Sequence, residues 1–150
     1  MSGESTAARI DALLAEIEGA DRAFAIGWLT VDLDRAAAEL AGALGMTPHG
    51  FIQAAESRLL GARCRVAPGV LSGRRSAVIL EPATEGRLAG ALARRDEGPC
   101  VVWLVASAER EQATSDPHAG PFGPERLILD GLRWGPFRLL AQREAGTIRS

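Results

Sequence analysis

FAIGWLTVDLDRAAAELAGALG, residues Phe24–Gly45, is the stretch of the sequence that decides the fold. It begins with an apolar run of strand length, which is typical of a strand buried on both faces. Asp32 predicts the start of a helix, because its carboxylate can accept hydrogen bonds from the free N–H groups of the first turn. Leucine and alanine then recur at helical spacing, and Gly45 predicts the C-terminal stop. The stretch therefore predicts a buried strand followed at once by an amphipathic helix that lies back across a sheet.

The length and composition of the chain limit the classes of protein to which it can belong. The 150 residues fit one domain or two small modules that share a sheet, and 47% of them are hydrophobic, which is enough for a sizeable core. The net charge is −2 without a basic stripe, so a nucleic-acid partner is not expected. The N-terminus lacks the features of a secretory signal, and no apolar run reaches the ~18 residues of a membrane span. We expect a soluble, cytoplasmic protein with no membrane partner.

Several kinds of catalytic chemistry are excluded by residue types that the chain lacks. All 17 basic residues are arginine, so neither a Schiff-base lysine nor a P-loop lysine is present. Tyrosine and asparagine are absent too, and no G-x-S-x-G motif marks a serine nucleophile. Cys64 and Cys100 stand far apart without metal-site spacing, and we interpret them as reduced thiols in the core.

Further helices and strands are predicted around the first unit. Apolar residues at i, i+3, i+4 and i+7 predict an amphipathic helix over residues 5–19. A second helix is predicted from Pro48, a residue that favours the first helical position, to Gly61. A third is predicted over 85–95 with Thr84 as its N-cap. Apolar or alternating runs predict strands at residues 63–66, 76–81, 100–105, 126–130 and 137–141.

Residues 106–123 are polar, rich in proline and glycine, and without an apolar period. We interpret them as one long loop, or as a loop with a short irregular helix near 108–113. A loop of this length in a compact domain is often functional.

Three segments resemble one protein family. TVDLDRAAAELAGALG (Thr30–Gly45) resembles the strand-to-helix opening of the vicinal oxygen chelate superfamily, which includes glyoxalases, bleomycin-resistance proteins and extradiol dioxygenases. VILEPATEGRLAGALARRDEGPCVVWLV (Val78–Val105) resembles the end of that family's first module, its connecting segment and the start of its second module. The layout is similar to that of methylmalonyl-CoA epimerase-like members. LRWGPFRLLAQ (Leu132–Gln142) resembles the final strand.

The resemblance implies an α+β fold in which two βαβββ-like modules form a curled mixed sheet around a shared pocket. An extra N-terminal helix and its link would occupy residues 1–22, a glyoxalase-like domain 23–142, and a tail 143–150. Within the domain, the implied parts are module one at about 23–82, a connecting helix at 84–96 and module two at about 99–142.

The same resemblance implies a scaffold without the family's metal centre. Members with metal chemistry place ligands at positions that correspond here to Ala25 or Ile26, Val78, Cys100 or Val101, and Arg138 or Leu139. None of these is histidine or glutamate, whereas a divalent ion needs imidazole or oxygen donors. We therefore expect no metal and no cofactor.

We expect a metal-independent protein that binds a small molecule, such as an apolar acid, in the pocket that the resemblance implies. The residues expected to contact the ligand are Gly27, Arg65, Val78, Leu80, Cys100, Val102, His118 and Arg138. Arg65 and Arg138 would bind the anion, because a guanidinium binds a carboxylate or phosphate bidentately. His118 belongs to loop 106–123, which would act as a lid.

The three tryptophans are expected outside that pocket. The family register places Trp28 and Trp103 on the helix-packing face of the sheet. Trp134 is expected at a rim or at a subunit contact.

Two other functions stay open at this point, and a homodimer is expected. The chain could be a glyoxalase-like lyase or isomerase with Glu81, Cys100 or His118 as its base. It could instead be an interaction module in which helix 5–19 and a sheet edge build a homodimer with no small ligand. The sequence alone does not separate an enzyme from a binding protein.

Overall fold

The computed structural model describes residues 5–17, 19–83, 86–106, 114–129 and 135–142, and this part of the chain forms three α-helices and eight strands. The helices are α1 (Thr6–Ala15), α2 (Leu33–Leu44) and α3 (Arg87–Arg95). The strands are β1 (Ala23–Leu29), β2 (Ile52–Ser57), β3 (Ala62–Ala67), β4 (Ser76–Pro82), β5 (Gly98–Val105), β6 (His118–Gly120), β7 (Gly123–Leu127) and β8 (Phe137–Ala141).

The eight strands form one mixed sheet in the order β2-β3-β4-β1-β5-β8-β7-β6. β1 is parallel to β4 and β5 is parallel to β8, while the other neighbouring pairs are antiparallel. The run β1-α2-β2-β3-β4 has the order of a βαβββ module, and the β1–β5 pair joins it to the second set of four strands. The predicted α+β class with a curled two-module sheet is confirmed.

The sheet curls until its two edges meet, so that it forms a nearly closed barrel. The edge strand β2 and the β6–β7 hairpin lie side by side along a line that we call the seam. Across the seam the backbone N–H of Arg58 donates to the carbonyl of Ala119 at 3.1 Å. The hydroxyl of Ser57 donates to the carboxylate of Glu125 at 2.6 Å.

The β1–α2 unit forms as predicted. Asp32 is the N-cap of α2, and its Oδ1 accepts from the backbone N–H of Arg35 at 3.2 Å. Gly45 ends the helix in the left-handed conformation, with φ 72°. The buried side of α2 packs on the outer face of β4, where Ala77 and Ile79 lie.

The inside of the barrel is filled with apolar side chains. Trp103, Val78, Leu80, Val101 and Leu139 are fully buried in one inner cluster. Side chains of α3 belong to the same cluster, whereas α1 packs on the outer face of the sheet. No helix in the described part of the chain is long and apolar enough to span a membrane.

The helix predicted from Pro48 to Gly61 is wrong. The structure has only a short 3₁₀ turn at Pro48–Gly50, after which the chain enters β2. Ile52–Ser57 pairs with β3 in a hairpin, and this pairing overrides a spacing that also suits a helix. Gly61 adopts φ 69° in the β2–β3 turn and does not end a helix.

The interpretation of 106–123 as one long loop is also wrong in its second half. β6 and the first residue of β7 lie within this segment, and Thr114 forms an isolated bridge to Ile128. The strand predicted from residue 126 begins earlier, at Gly123. Several predicted features lie outside the described residues: the Thr84 cap, the helix near 108–113, Trp134 and the tail 143–150.

Candidate functional site

One end of the barrel opens into a cleft of about 420 Å³, which we call the mouth. It lies where β1, β2 and β4 begin and where the turn between β6 and β7 crosses the end of the barrel. Its walls include the apolar side chains of Phe24, Ala54, Val66 and Phe122. Small-molecule sites usually occupy roughly 300–1,000 Å³, and barrel mouths are common places for them.

Two phenylalanine rings form the floor of the mouth, and a tryptophan ring lies behind them. Phe122 packs edge-to-face on Phe24 at 5.1 Å between ring centroids, with an interplanar angle of 80°. Its other side packs on Trp103 at 5.5 Å and 70°. Phe24 and Phe122 are each only 4% exposed, so the two rings separate the mouth from the barrel interior.

The rim of the mouth is polar. Gln53 comes from β2, Ser76 from the start of β4, and Arg74 from the turn that precedes β4. Among the described lining residues Arg74 alone carries a charge, and it pairs with no carboxylate of the described residues. The neighbouring Arg75 differs, because its Nε donates to the carbonyl of Ala23 at 3.0 Å.

Arg74 also has an unusual backbone. Its φ is 62°, in the left-handed region that side chains other than glycine seldom adopt. Gly73 precedes it with φ 71°, so two consecutive residues turn the chain in this way. The turn projects a long cationic side chain at a position where glycine would be less strained.

Beneath the aromatic floor lies a buried acid, Glu125, which is 1% exposed. Its two carboxylate oxygens accept from the Ser57 hydroxyl at 2.6 Å and from Trp103 Nε1–H at 2.9 Å. Gly120 gives the carboxylate room, since a Cβ at that position would collide with it. Burial raises the pKa of the Glu125 carboxyl above its ordinary value of 4.5, and the hydrogen bonds from Ser57 and Trp103 offset part of that rise.

Four of the residues expected to contact a ligand lie on the inner face of the barrel but are covered by other side chains. Val78 and Leu80 are completely buried, and Cys100 is 2% exposed. Gly27 is also buried, and a Cβ there would lie 2.9 Å from the ring of Trp103 and 2.7 Å from Leu80 Cδ1. These residues therefore form the packed interior, and the open cleft lies further along the barrel.

The predicted sides of Val102 and Trp103 are wrong. Val102 belongs to the cluster on the outer face under α1, while Trp103 lies inside the barrel. The cause is a β-bulge: one step along β1, from Gly27 to Trp28, corresponds to two steps along β5, from Val101 to Pro99. The extra residue, Cys100, reverses the alternation that a regular strand would show.

Arg65, Arg138 and His118 do not line the mouth. Arg65 Nη2 lies 2.7 Å from the carboxylate of Asp34 on α2, so it lies on the outer face. Arg138 stands two residues before Leu140, which packs against the outer cluster, and alternation places it on that same face. His118 is exposed on β6.

The three residues considered as a catalytic base do not come together. Glu81 forms an ion pair with Arg63 at 2.9 Å, whereas Cys100 is packed in the inner cluster and His118 is exposed on β6. The structure thus brings no pair of them to one site.

In the described part of the chain, no three His, Cys, Asp or Glu side chains lie close enough to hold a divalent metal ion. The positions that correspond to the family's ligands include Val78 and Leu139, whose side chains offer no donor atom. Both oxygens of Glu125 already accept hydrogen bonds from Ser57 and Trp103.

Sequence reasoning missed the residues that shape this site, namely Phe122, Arg74 and Glu125. Phe122 is a lone aromatic residue in a polar segment, and so large an apolar side chain is a signal that the segment docks on a core. Glu125 offers no local signal, because its partners Ser57 and Trp103 lie 68 and 22 residues away in the chain.

Comparison with known proteins identifies the fold. No family model and no curated protein matches the sequence. Among solved structures, methylmalonyl-CoA epimerase from Mycobacterium tuberculosis is similar at 16% identity and a TM-score of 0.63, over 80% of this chain and 86% of that one. A variant of the Streptomyces coelicolor epimerase, solved with 2-nitronate-propionyl-CoA, gives 16% identity and 0.62, over 86% and 97%. A hypothetical protein from Bacillus halodurans gives 14% and 0.60, over 80% and 92%.

At such identities the likeness shows the fold alone. The chain has a glyoxalase-like fold, as the sequence resemblance implied.

Proposed function

We propose that this protein binds a small, mainly apolar carboxylic acid in the mouth of the barrel, without a metal ion. The observation that carries the proposal is an apolar cleft of about 420 Å³ with a cation at its rim, Arg74, which pairs with no carboxylate of the described residues. The fold is compatible with this function, because a curled sheet of this kind encloses space at its open end.

The apolar part of the ligand would lie against Phe24, Val66 and Phe122. Burying hydrocarbon there removes it from water, which stabilises a complex by about 0.8 kcal/mol for each methylene group. The carboxylate of the ligand would stay at the entrance, among the polar side chains of the rim, where water still reaches it.

Arg74 would bind the carboxylate. A guanidinium presents two parallel N–H donors to the two oxygens of a carboxylate, and such charge-assisted bonds are stronger than neutral ones. Since no described carboxylate neutralises Arg74, an acid gains this contact without breaking an existing ion pair.

The test is a calorimetric titration with straight-chain acids and with the alcohols of the same length, each in the presence of EDTA. We expect each acid to bind more tightly than its alcohol, and EDTA to change neither affinity. Arg74→Ala should remove the difference between acid and alcohol.

Arg65→Ala is the matched control, because it removes the same charge from the outer face of the barrel. Its ion-pair partner, Asp34, is already exposed to solvent. It should leave the preference for acids intact. Equal binding of acids and alcohols by the unaltered protein, or loss of binding with EDTA, would contradict the proposal.

A further inference from the structure

Two rings, Phe24 and Phe122, separate the mouth from the barrel interior. Phe122 stands on the turn between β6 and β7 and reaches inward until its ring lies between Phe24 and Trp103. Beyond it the barrel continues into the inner cluster, of which Trp103 is the largest fully buried member.

From this arrangement we infer that Phe122 determines which lengths of ligand the mouth accepts. The inference rests on the proposed binding of acids there. With the carboxylate held at Arg74, the tail of the acid points down the barrel and ends at the Phe122 ring. An acid whose tail is longer than that depth must leave its last methylene groups in water or displace the ring.

The seam keeps the Phe122 ring in place. The β6–β7 hairpin is tied to β2 through Arg58 N–H and the Ala119 carbonyl, and through Ser57 and Glu125. It is also paired to β8 over three residues, with Glu125 opposite Ala141. Because the hairpin is held on both sides, the barrel cannot readily collapse into space left by a smaller side chain, and a truncated residue should leave a cavity.

Such a cavity would have the right chemistry for a hydrocarbon tail. Its walls would be Phe24 and the face of Trp103 that now contacts Phe122, and apolar cavities of this kind stay free of water and bind apolar molecules. The Trp103 ring would become the new floor, because its Nε1 is held by Glu125 on the far side. The mouth should become deeper by about the thickness of the Phe122 ring, which corresponds to the length of a few methylene groups.

The experiment is a titration of the unaltered protein and of Phe122→Ala with straight-chain acids from butanoate to tetradecanoate. For the unaltered protein, affinity should rise with length and then stop rising. For Phe122→Ala that limit should move to longer acids, with about a tenfold gain for every two methylene groups newly buried. Acids too short to reach the Phe122 ring should bind the two proteins alike.

Phe51→Ala is the control, since Phe51 is an equally buried phenylalanine, 5% exposed, in the cluster under α2. It should lower stability without moving the length limit. If Phe122→Ala does not fold, Phe122→Leu makes the same test with a smaller displacement.

The outcomes separate the two proposals. An unchanged length limit in a folded Phe122 variant, together with binding by the unaltered protein, would overturn the role of Phe122 alone. Absence of acid binding by the folded, unaltered protein would overturn both.

Discussion

At the scale of single residues, Arg74 shows a conflict between stability and binding. Its left-handed backbone is strained for any side chain with a Cβ, so we expect Arg74→Gly to raise the free energy of unfolding by about 0.5–1 kcal/mol. The same change should abolish the preference for acids over alcohols. Urea denaturation and calorimetry measure the two effects, and a variant that is less stable than the parent would show that the Arg74 side chain supports the fold.

Glu125 makes stability depend on pH. Burial raises the pKa of its carboxyl in the folded state, so the folded protein holds this proton more tightly than the unfolded chain does. Its contribution to stability is therefore fully present below pH 4.5 and is lost as pH rises through the folded-state pKa. Glu125→Gln keeps the shape without the charge, and the variant should gain stability relative to the parent as pH rises.

Denaturation with urea at a series of pH values, with Glu125→Gln compared directly to the parent, measures this difference. The effects of the other titrating groups on stability cancel in the comparison, because both proteins contain them. A difference between the two proteins that stays constant from pH 4 to pH 8 would show that Glu125 does not titrate in this way.

The two thiols should be inert in the folded protein. Burial raises the pKa of Cys64 to about 12, and Cys64 and Cys100 are each 2% exposed. Since the thiolate is the reactive form, neither should react with Ellman's reagent at pH 8, whereas urea-unfolded protein should release two equivalents. Rapid reaction of one equivalent in the native protein would mean that part of the barrel opens readily.

At the scale of elements, the β1–α2 unit is where the sequence predicts the structure best. Every signal in it is local: the Asp32 cap, the helical spacing and the Gly45 stop. We expect Asp32→Ala to lower the free energy of unfolding by about 1 kcal/mol, because it removes the cap of α2. Glu39→Ala, an exposed change in the same helix, should lower the free energy of unfolding by only a few tenths of that amount. Urea denaturation measures both changes. Equal effects of the two changes would argue against the cap.

Elements whose form depends on their pairing partners are harder to predict from the local sequence. Ile52–Ser57 has spacing that suits a helix, and only its pairing with β3 makes it a strand. In β5, the local alternation cannot show that Cys100 is an extra residue opposite β1, although Pro99 beside it is a residue often found at bulges.

At the scale of the whole molecule, the fold class and the curled two-module sheet could be predicted, but the site could not. Gly27, Val78 and Leu80, which the resemblance implies at the pocket, lie on the inner face of the barrel. The sequence does not say whether that face lines a cavity or a packed core. That depends on Trp103 and Phe122, which reach the interior from the second half of the chain.

Closure of the barrel is likewise a property of the whole chain. The Ser57–Glu125 hydrogen bond joins residues 68 positions apart and helps to close the barrel along the seam. The sequence predicts only the separate strands. With the seam closed and the middle of the barrel packed, we propose the mouth at the end of the barrel as the ligand site.

The most direct test of acid binding in the mouth is a crystal structure of the protein grown with a medium-chain carboxylic acid and EDTA. We expect electron density for the acid in the mouth, with its carboxylate on Arg74 and its tail against Phe24 and Phe122. An acid bound elsewhere on the molecule, or a mouth that stays empty at saturating acid, would contradict it.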